Sequence, residues 1–204
     1  LTGGGYCGWV TLPGLFNPFN QRGGLLQLQY KPCLADGPTL VLNGAAEMTL
    51  ECRAGGTYSD PGAQAFEGGG SPIPVHASNT GTDSSGPGPL LGAEGTYPVS
   101  YAAWDSDGRT VSAIRDVHVD DRTAPTLTLK GPAHMTHVCN TPWVDPGVEA
   151  MDACYGDLST WVLLTGEVHA WAEGTYTVSY SVTDSGGNSA APVTRTVEVV
   201  DCPW

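Results

Sequence analysis

From Thr175 to Thr183 the chain alternates Tyr176, Val178, Tyr180 and Val182 with Thr177, Ser179 and Ser181, the period of two expected of a strand with one buried face. Asp184, Ser185, Gly186 and Gly187 follow as turn chemistry, and Val193, Val197 and Val199 alternate on the returning segment, which predicts a hairpin. The same scheme occurs earlier: Tyr97, Val99, Tyr101 and Ala103, a turn over Asp105 to Gly108, then Val111, Ala113, Val117 and Val119. Near the front, Leu26, Leu28 and Tyr30 alternate with Gln27 and Gln29 ahead of Cys33, a further candidate strand.

The two hairpins belong to a longer duplication. Pro38-Thr39-Leu40 returns as Pro125-Thr126-Leu127, Asp60-Pro61-Gly62 as Asp145-Pro146-Gly147, and Gly95-Thr96-Tyr97 as Gly174-Thr175-Tyr176, in the same order. A unit of about 80 residues can bury its own core, so the period predicts tandem domains. Residues 38–121 form the first, residues 125–204 the second, and residues 1–37 a strand-bearing extension or the end of a preceding module. Residues 68–89 of the first copy, rich in Gly, Ser, Pro and Thr, read as a low-complexity surface insertion and flexible tether, whose hydroxyls are candidate sugar carriers. The matching 156–172 of the second copy reads as an ordinary pair of strands. Pro98 marks its strand as an edge or a bulge. Arg115 and Arg195 share one place among the valines of the returning strands. Each is expected to run its stem over the sheet edge and pair with a local carboxylate.

Twenty-eight glycines and sixteen prolines interrupt helices, so the fold class is all-β. A formal charge of −13 with only eight basic residues argues against a nucleic-acid partner and leaves cations or basic partners open. No apolar run is long enough to span a membrane. The chain opens on Leu1 with neither initiator Met nor leader, as expected of a piece of a longer precursor. Six cysteines, none in a CxxC pair, fit a disulfide-bearing extracellular protein better than a zinc site.

In the second copy, the string Ala124-Pro125-Thr126-Leu127-Thr128-Leu129-Lys130-Gly131, then Asp145 to Asp152, Gly156-Asp157-Leu158, Gly174 to Tyr180 and Asp184, resembles the immunoglobulin-like, HYR-related domain repeated in many secreted and cell-surface proteins. The resemblance covers nearly all of that copy and, more loosely, the first. It implies tandem seven-strand β-sandwiches serving as spacers, adhesion modules or filament building blocks without catalytic residues.

Cys139 and Cys154 flank the Asp145-Pro146-Gly147 turn and are expected to staple neighbouring strands, with Cys7 joined to Cys33. Cys52 and Cys202 are left free, paired with each other, or linked to another chain. Carboxylates gather at turns, and Asp105, Asp107, Asp152 and Asp157 are the candidate calcium ligands, although no EF-hand loop is present and solvated turn Asp is the plainer reading. No cofactor is required and no other metal site is indicated. Trp143, Trp161 and Trp171 are candidate glycan contacts, with core packing the plainer role. No GxSxG, HExxH, GxxxxGK or GxGxxG pattern occurs, and the five histidines are scattered, so catalysis is not expected. The expectation is an extracellular structural protein of the cell surface or a surface appendage. It would be a rod or repeating filament subunit that meets neighbouring copies through its sandwiches and N-terminal segment. A carbohydrate-binding or adhesin module is the alternative.

Overall fold

The structure, a computed structural model, describes residues 36–203. The expected strand at Leu26 to Tyr30, the N-terminal extension and the Cys7–Cys33 pairing therefore lie outside the described residues.

Strands β1 (Thr39–Leu42), β2 (Glu47–Glu51), β3 (Ala63–Phe66), β4 (Pro72–Ile73), β5 (His76–Ser78), β6 (Gly95–Trp104) and β7 (Thr110–Asp120) form the first sandwich. One sheet runs β1-β3-β4 and the other β2-β7-β6-β5. Strands β8 (Thr126–Leu129), β9 (His134–Val138), β10 (Val148–Asp152), β11 (Gly156–Asp157), β12 (Leu163–Thr165), β13 (Gly174–Ser181) and β14 (Val193–Val200) build the second with the same connectivity, β8-β10-β11 against β9-β14-β13-β12. In each, the hairpin pairs antiparallel and an early strand pairs parallel to its returning arm, β2 with β7 and β9 with β14. Both are immunoglobulin-like in plan.

The alternation seen in the sequence is the inward face. Val99, Tyr101 and Val117 close the first core against Leu40, Leu42, Leu50 and Tyr58. Val148, Val178, Tyr180, Val197 and Val199 close the second, with Leu127, Leu129 and Trp143 packed on them. The ladder between β5 and β6 stops at Ser100, so Pro98 sits where β6 has no neighbour on that side. Its carbonyl there accepts the Asn79 side chain at 2.9 Å, in keeping with the edge expected of it.

Two expectations are corrected. Residues 68–89 are not all insertion, because Pro72–Ile73 pairs with β3 and His76–Ser78 with β6, in the places that β11 and β12 take in the second sandwich. Low apolar content hid these strands. The loop beyond them folds on Asp83 rather than trailing as a tether. Its carboxylate accepts the Asn79 and Thr80 amides at 3.2 and 2.7 Å and the Ser85 amide at 2.8 Å, together with the Thr80 and Ser85 hydroxyls. The hydrogen bond from the Ser85 hydroxyl, then those from Thr80, hold this carboxyl well below the usual range. Gly88 (φ 71°) admits the turn, since a Cβ there would meet the Gly81 amide nitrogen at 2.4 Å.

The second correction concerns the arginines. Arg115 and Arg195 do not lie over a sheet edge; both are fully buried and cross the interior between the sheets. Arg195 Nη1 donates to Asp145 and to the Tyr180 hydroxyl (2.9 Å), while Nε and Nη2 donate to the carbonyls of Pro132 (3.1 Å), Lys130 (2.6 Å) and Gly147 (3.3 Å). Arg115 repeats this with Asp60 (2.7 Å), Tyr101 (2.5 Å) and the carbonyls of Ala45 (3.0 Å), Asn43 (2.7 Å) and Gly62 (3.3 Å). The repeated Asp-Pro-Gly, the tyrosine of the outgoing strand and the arginine of the returning strand are thus one buried ion-paired network. It accounts for why these residues recur together.

Burial, then the hydrogen bond to Asp145, pushes the Tyr180 hydroxyl up to about 12, and Tyr101 shifts the same way. A folded-state value above the unfolded one favours the protonated phenol, so its contribution is whole below pH 10. It is lost as pH rises toward 12, where the unfolded chain holds fewer protons than the folded one. Urea midpoints are therefore expected to fall from pH 10 to 12, and to fall less steeply in Tyr180→Phe. An equal slope in both proteins would contradict this origin.

Candidate functional site: the junction between the sandwiches

The chain leaves β7 at Asp120 and enters β8 at Thr126, and Asp121, Arg122 and Thr123 of this short connection are held by hydrogen bonds. Glu51, at the end of β2, accepts the Arg122 amide (2.9 Å), the Arg122 Nε (3.2 Å) and the Thr123 hydroxyl (2.7 Å). Those bonds, the Thr123 hydroxyl first, lower its carboxyl below the usual range. Glu94, just before β6, accepts the Asp121 amide at 3.0 Å and, from the other sandwich, the Tyr155 hydroxyl. The Tyr155 bond lowers Glu94, and Glu94 raises Tyr155.

Direct contacts fasten one sandwich to the other. Cys52, which follows β2, is bonded to Cys154, which follows β10, across a sequence separation of 102. The bridge is buried beside Val119, with Leu91, Tyr97 and Tyr155 around it. Ala54 N donates to the Ala153 carbonyl at 2.8 Å, and Asn188 Nδ2 to the Asp121 carbonyl at 3.0 Å. A Cβ at Gly186 would meet Asp121 O and Cβ at 3.2 Å, so the second hairpin's turn closes tightly on the linker.

The second bridge joins Cys139 to Cys202 and ties the end of β9 to the residues after β14. The expected Cys139–Cys154 pairing is thus overturned. A spacing argument sees only the local turn, whereas β9 and β14 run side by side in one sheet and bring Cys202 to Cys139. Cys154 is left facing the first sandwich, where it meets Cys52, one of the two cysteines that spacing leaves without a definite partner.

Three carboxylates converge at this junction: Asp121 from the linker, Asp152 from the end of β10, and Asp184 from the β13–β14 turn. All are buried, at 3, 8 and 8% exposure, and an oxygen from each lies within 4.8 Å of the other two. Their Oδ1 atoms are held by backbone amides, Asp121 by Thr123 (3.3 Å), Asp152 by Cys154 (2.7 Å) and Tyr155 (2.9 Å), and Asp184 by Asn188 (2.8 Å). The three Oδ2 atoms are buried without a hydrogen-bond partner. Burial raises the Asp121 carboxyl, and the charges of Asp152, Asp184 and Glu51 add to the rise.

Of the candidate calcium ligands, only Asp152 belongs to this cluster. Asp105 and Asp107 sit on the β6–β7 turn and pair with Arg109, at 2.7 and 3.3 Å. Asp157 accepts the Ser159 amide at 2.8 Å on the other side of β10. Asp121 and Asp184 count among the carboxylates that the sequence places at turns but not among its candidate ligands, and nothing in the sequence singles out Glu94 or Tyr155. Of the tryptophans, Trp143 packs on the second core, while Trp161 and Trp171 are 75 and 64% exposed. Trp143 and Trp171 share a cleft with Leu164, Glu167 and Val168, and Trp161 lies apart from it.

Two immunoglobulin-like sandwiches of one plan, joined by a disulfide across their junction, define a tandem β-sandwich protein. The chain belongs to the family of bacterial surface protein Ig-like domains, whose model matches residues 40–119 and 127–199. No curated protein matches the chain. Among solved structures it is similar to the lipoprotein BT2262 from Bacteroides thetaiotaomicron, at 28% identity over 39% of each chain and a TM-score of 0.35. It is also similar to a Clostridium perfringens ZmpB structure of CBM51-2 in complex with GlcNAc and INT domains, at 28% identity over 38% of this chain and 16% of that one, TM-score 0.32. A third is the fibronectin(III)-like modules of Clostridium thermocellum CbhA, at 20% identity over 79% of this chain and 93% of that one, TM-score 0.28. The chain thus matches well under half the length of the first two proteins. No helix among the described residues is long and apolar enough to cross a membrane.

Proposed function

We propose that this chain is an extracellular structural segment, a stiff spacer or repeating subunit of a surface filament or appendage, whose work is to hold its two sandwiches in one fixed relation. The observation that carries this reading is the Cys52–Cys154 bridge, which adds a second covalent link beside the peptide connection. Two links between bodies remove the hinge freedom that a single linker leaves. Contacts between copies are assigned to residues 1–37 and to the open edge of β12, which pairs with β13 on its other side and where Leu163 and Leu164 are 62 and 48% exposed. Small-angle scattering should give a single extended particle for the oxidised chain and a broadened one for Cys52→Ser. A wild type that scatters as two freely hinged bodies would sink the reading. Electron microscopy of native material should show a fibre with an axial repeat of one or two modules.

The cleft holding Trp143 and Trp171 supports a second reading, a glycan-binding module, because an exposed aromatic face beside the Glu167 carboxylate suits a sugar ring. A glycan array decides it: a ligand lost in Trp171→Ala selects this reading, and no ligand for the wild type rejects it.

A further inference from the structure

We infer that Asp121, Asp152 and Asp184 form a binding site for a hard divalent cation, calcium in an extracellular setting, placed between the two sandwiches. The cluster stands on more than its acidity. Each carboxylate is over nine-tenths buried, has one oxygen fixed by backbone amides and keeps its other oxygen in the junction with no donor. Buried carboxylates without counter-charge are strongly unfavourable, and a shared cation relieves three at once. Oxygens within 4.8 Å of one another meet the spacing that a shared ion with bonds of about 2.4 Å demands, since two ligands of one ion lie at most twice that bond apart. A donor set of carboxylates alone suits calcium or magnesium and not zinc or copper.

The duplication supplies an internal control. The β6–β7 turn repeats the β13–β14 turn, with Asp105 N donating to the Arg109 carbonyl and Asp184 N to the Asn188 carbonyl, both at 3.0 Å. In the first copy Asp105 Oδ2 is met by Arg109 Nε at 2.7 Å, and Glu67, in the register position of Asp152, accepts the Ser106 amide and hydroxyl at 3.0 and 3.1 Å. In the second copy the arginine position holds Asn188, whose amide group turns to the Asp121 carbonyl and leaves Asp184 Oδ2 bare. Arg122, the linker's own cation, is occupied by Glu51. Of the two hairpin turns, the built-in cation is thus missing at the one that meets the other sandwich among the described residues.

The inference goes beyond the spacer reading, because binding is read on single chains whether or not they assemble. Calcium titrated calorimetrically into the intact, oxidised, metal-stripped chain should bind at one site with a Kd of about 0.1–1 mM, the range of extracellular modules, and should raise Tm. Asp184→Asn and Asp152→Asn, which keep the amide-accepting oxygen, should each weaken binding by about tenfold or more. Asp157→Asn should leave it unchanged. Circular dichroism and a thiol count confirm that the variants are folded and bridged. Absence of binding heat and of any Tm shift in the wild type overturns the inference, as does full calcium affinity in Asp184→Asn. Either result would leave the scattering test of stiffness standing.

Discussion

Replacing Arg195 with alanine is expected to cost about 3–5 kcal/mol of folding stability, the usual penalty for removing one partner of a buried ion pair. The loss is larger than that of a contact of equal area. Asp145 keeps its charge with only the Tyr180 hydroxyl and the Gly147 amide against it, and the carbonyls of Lys130, Pro132 and Gly147 lose their buried donor. Arg195→Lys should recover little, because an ammonium on a flexible stem cannot reproduce the guanidinium's fixed fork of donors. Urea denaturation of the isolated variants measures this, and a loss under about 1 kcal/mol in Arg195→Ala would show that the network is not what holds the sheets together. Arg115→Ala should behave alike, since the first sandwich repeats the network.

Removing the bridge between the sandwiches is the second large effect. Cys52→Ser together with Cys154→Ser is expected to lower stability by about 2–4 kcal/mol, since the bond closes a long loop in the unfolded chain. The form of the transition should change as well. With the bridge and the junction contacts intact, calorimetry should give one cooperative transition, and without the bridge two, one for each sandwich. A single transition in both proteins would mean that the linker contacts of Glu51 and Glu94 already fuse the domains.

The frame of the fold was open to sequence reading because a half-buried strand writes its geometry as alternation, and Tyr176 to Val182 or Tyr97 to Ala103 do so cleanly. The strands at Pro72–Ile73 and His76–Ser78 were not, since their few side chains carry little apolar signal and only the sheet they join reveals them. For Arg115 and Arg195, pairing with a carboxylate was foreseeable, but a pair spanning the interior was not, because Asp60 and Asp145 lie far away along the chain. The disulfides failed for a related reason. Partner choice for Cys154 depends on how one sandwich docks on the other, and no local spacing encodes docking. Asp184 could have been found: the duplicated frame sets Asn188 against Arg109, and the loss of a cation beside a retained carboxylate is visible in the letters alone.

The two bridges also set how far this chain can be drawn out. A pull applied between Cys52 and Cys202 passes from Cys52 to Cys154, back along the chain to Cys139, and across to Cys202. The shortest covalent route between those points therefore holds about 15 residues, or about 50 Å when fully extended. Of the second sandwich's long strands only β10 lies on that route, so rupture of the β13–β14 and β9–β14 ladders would release no further slack.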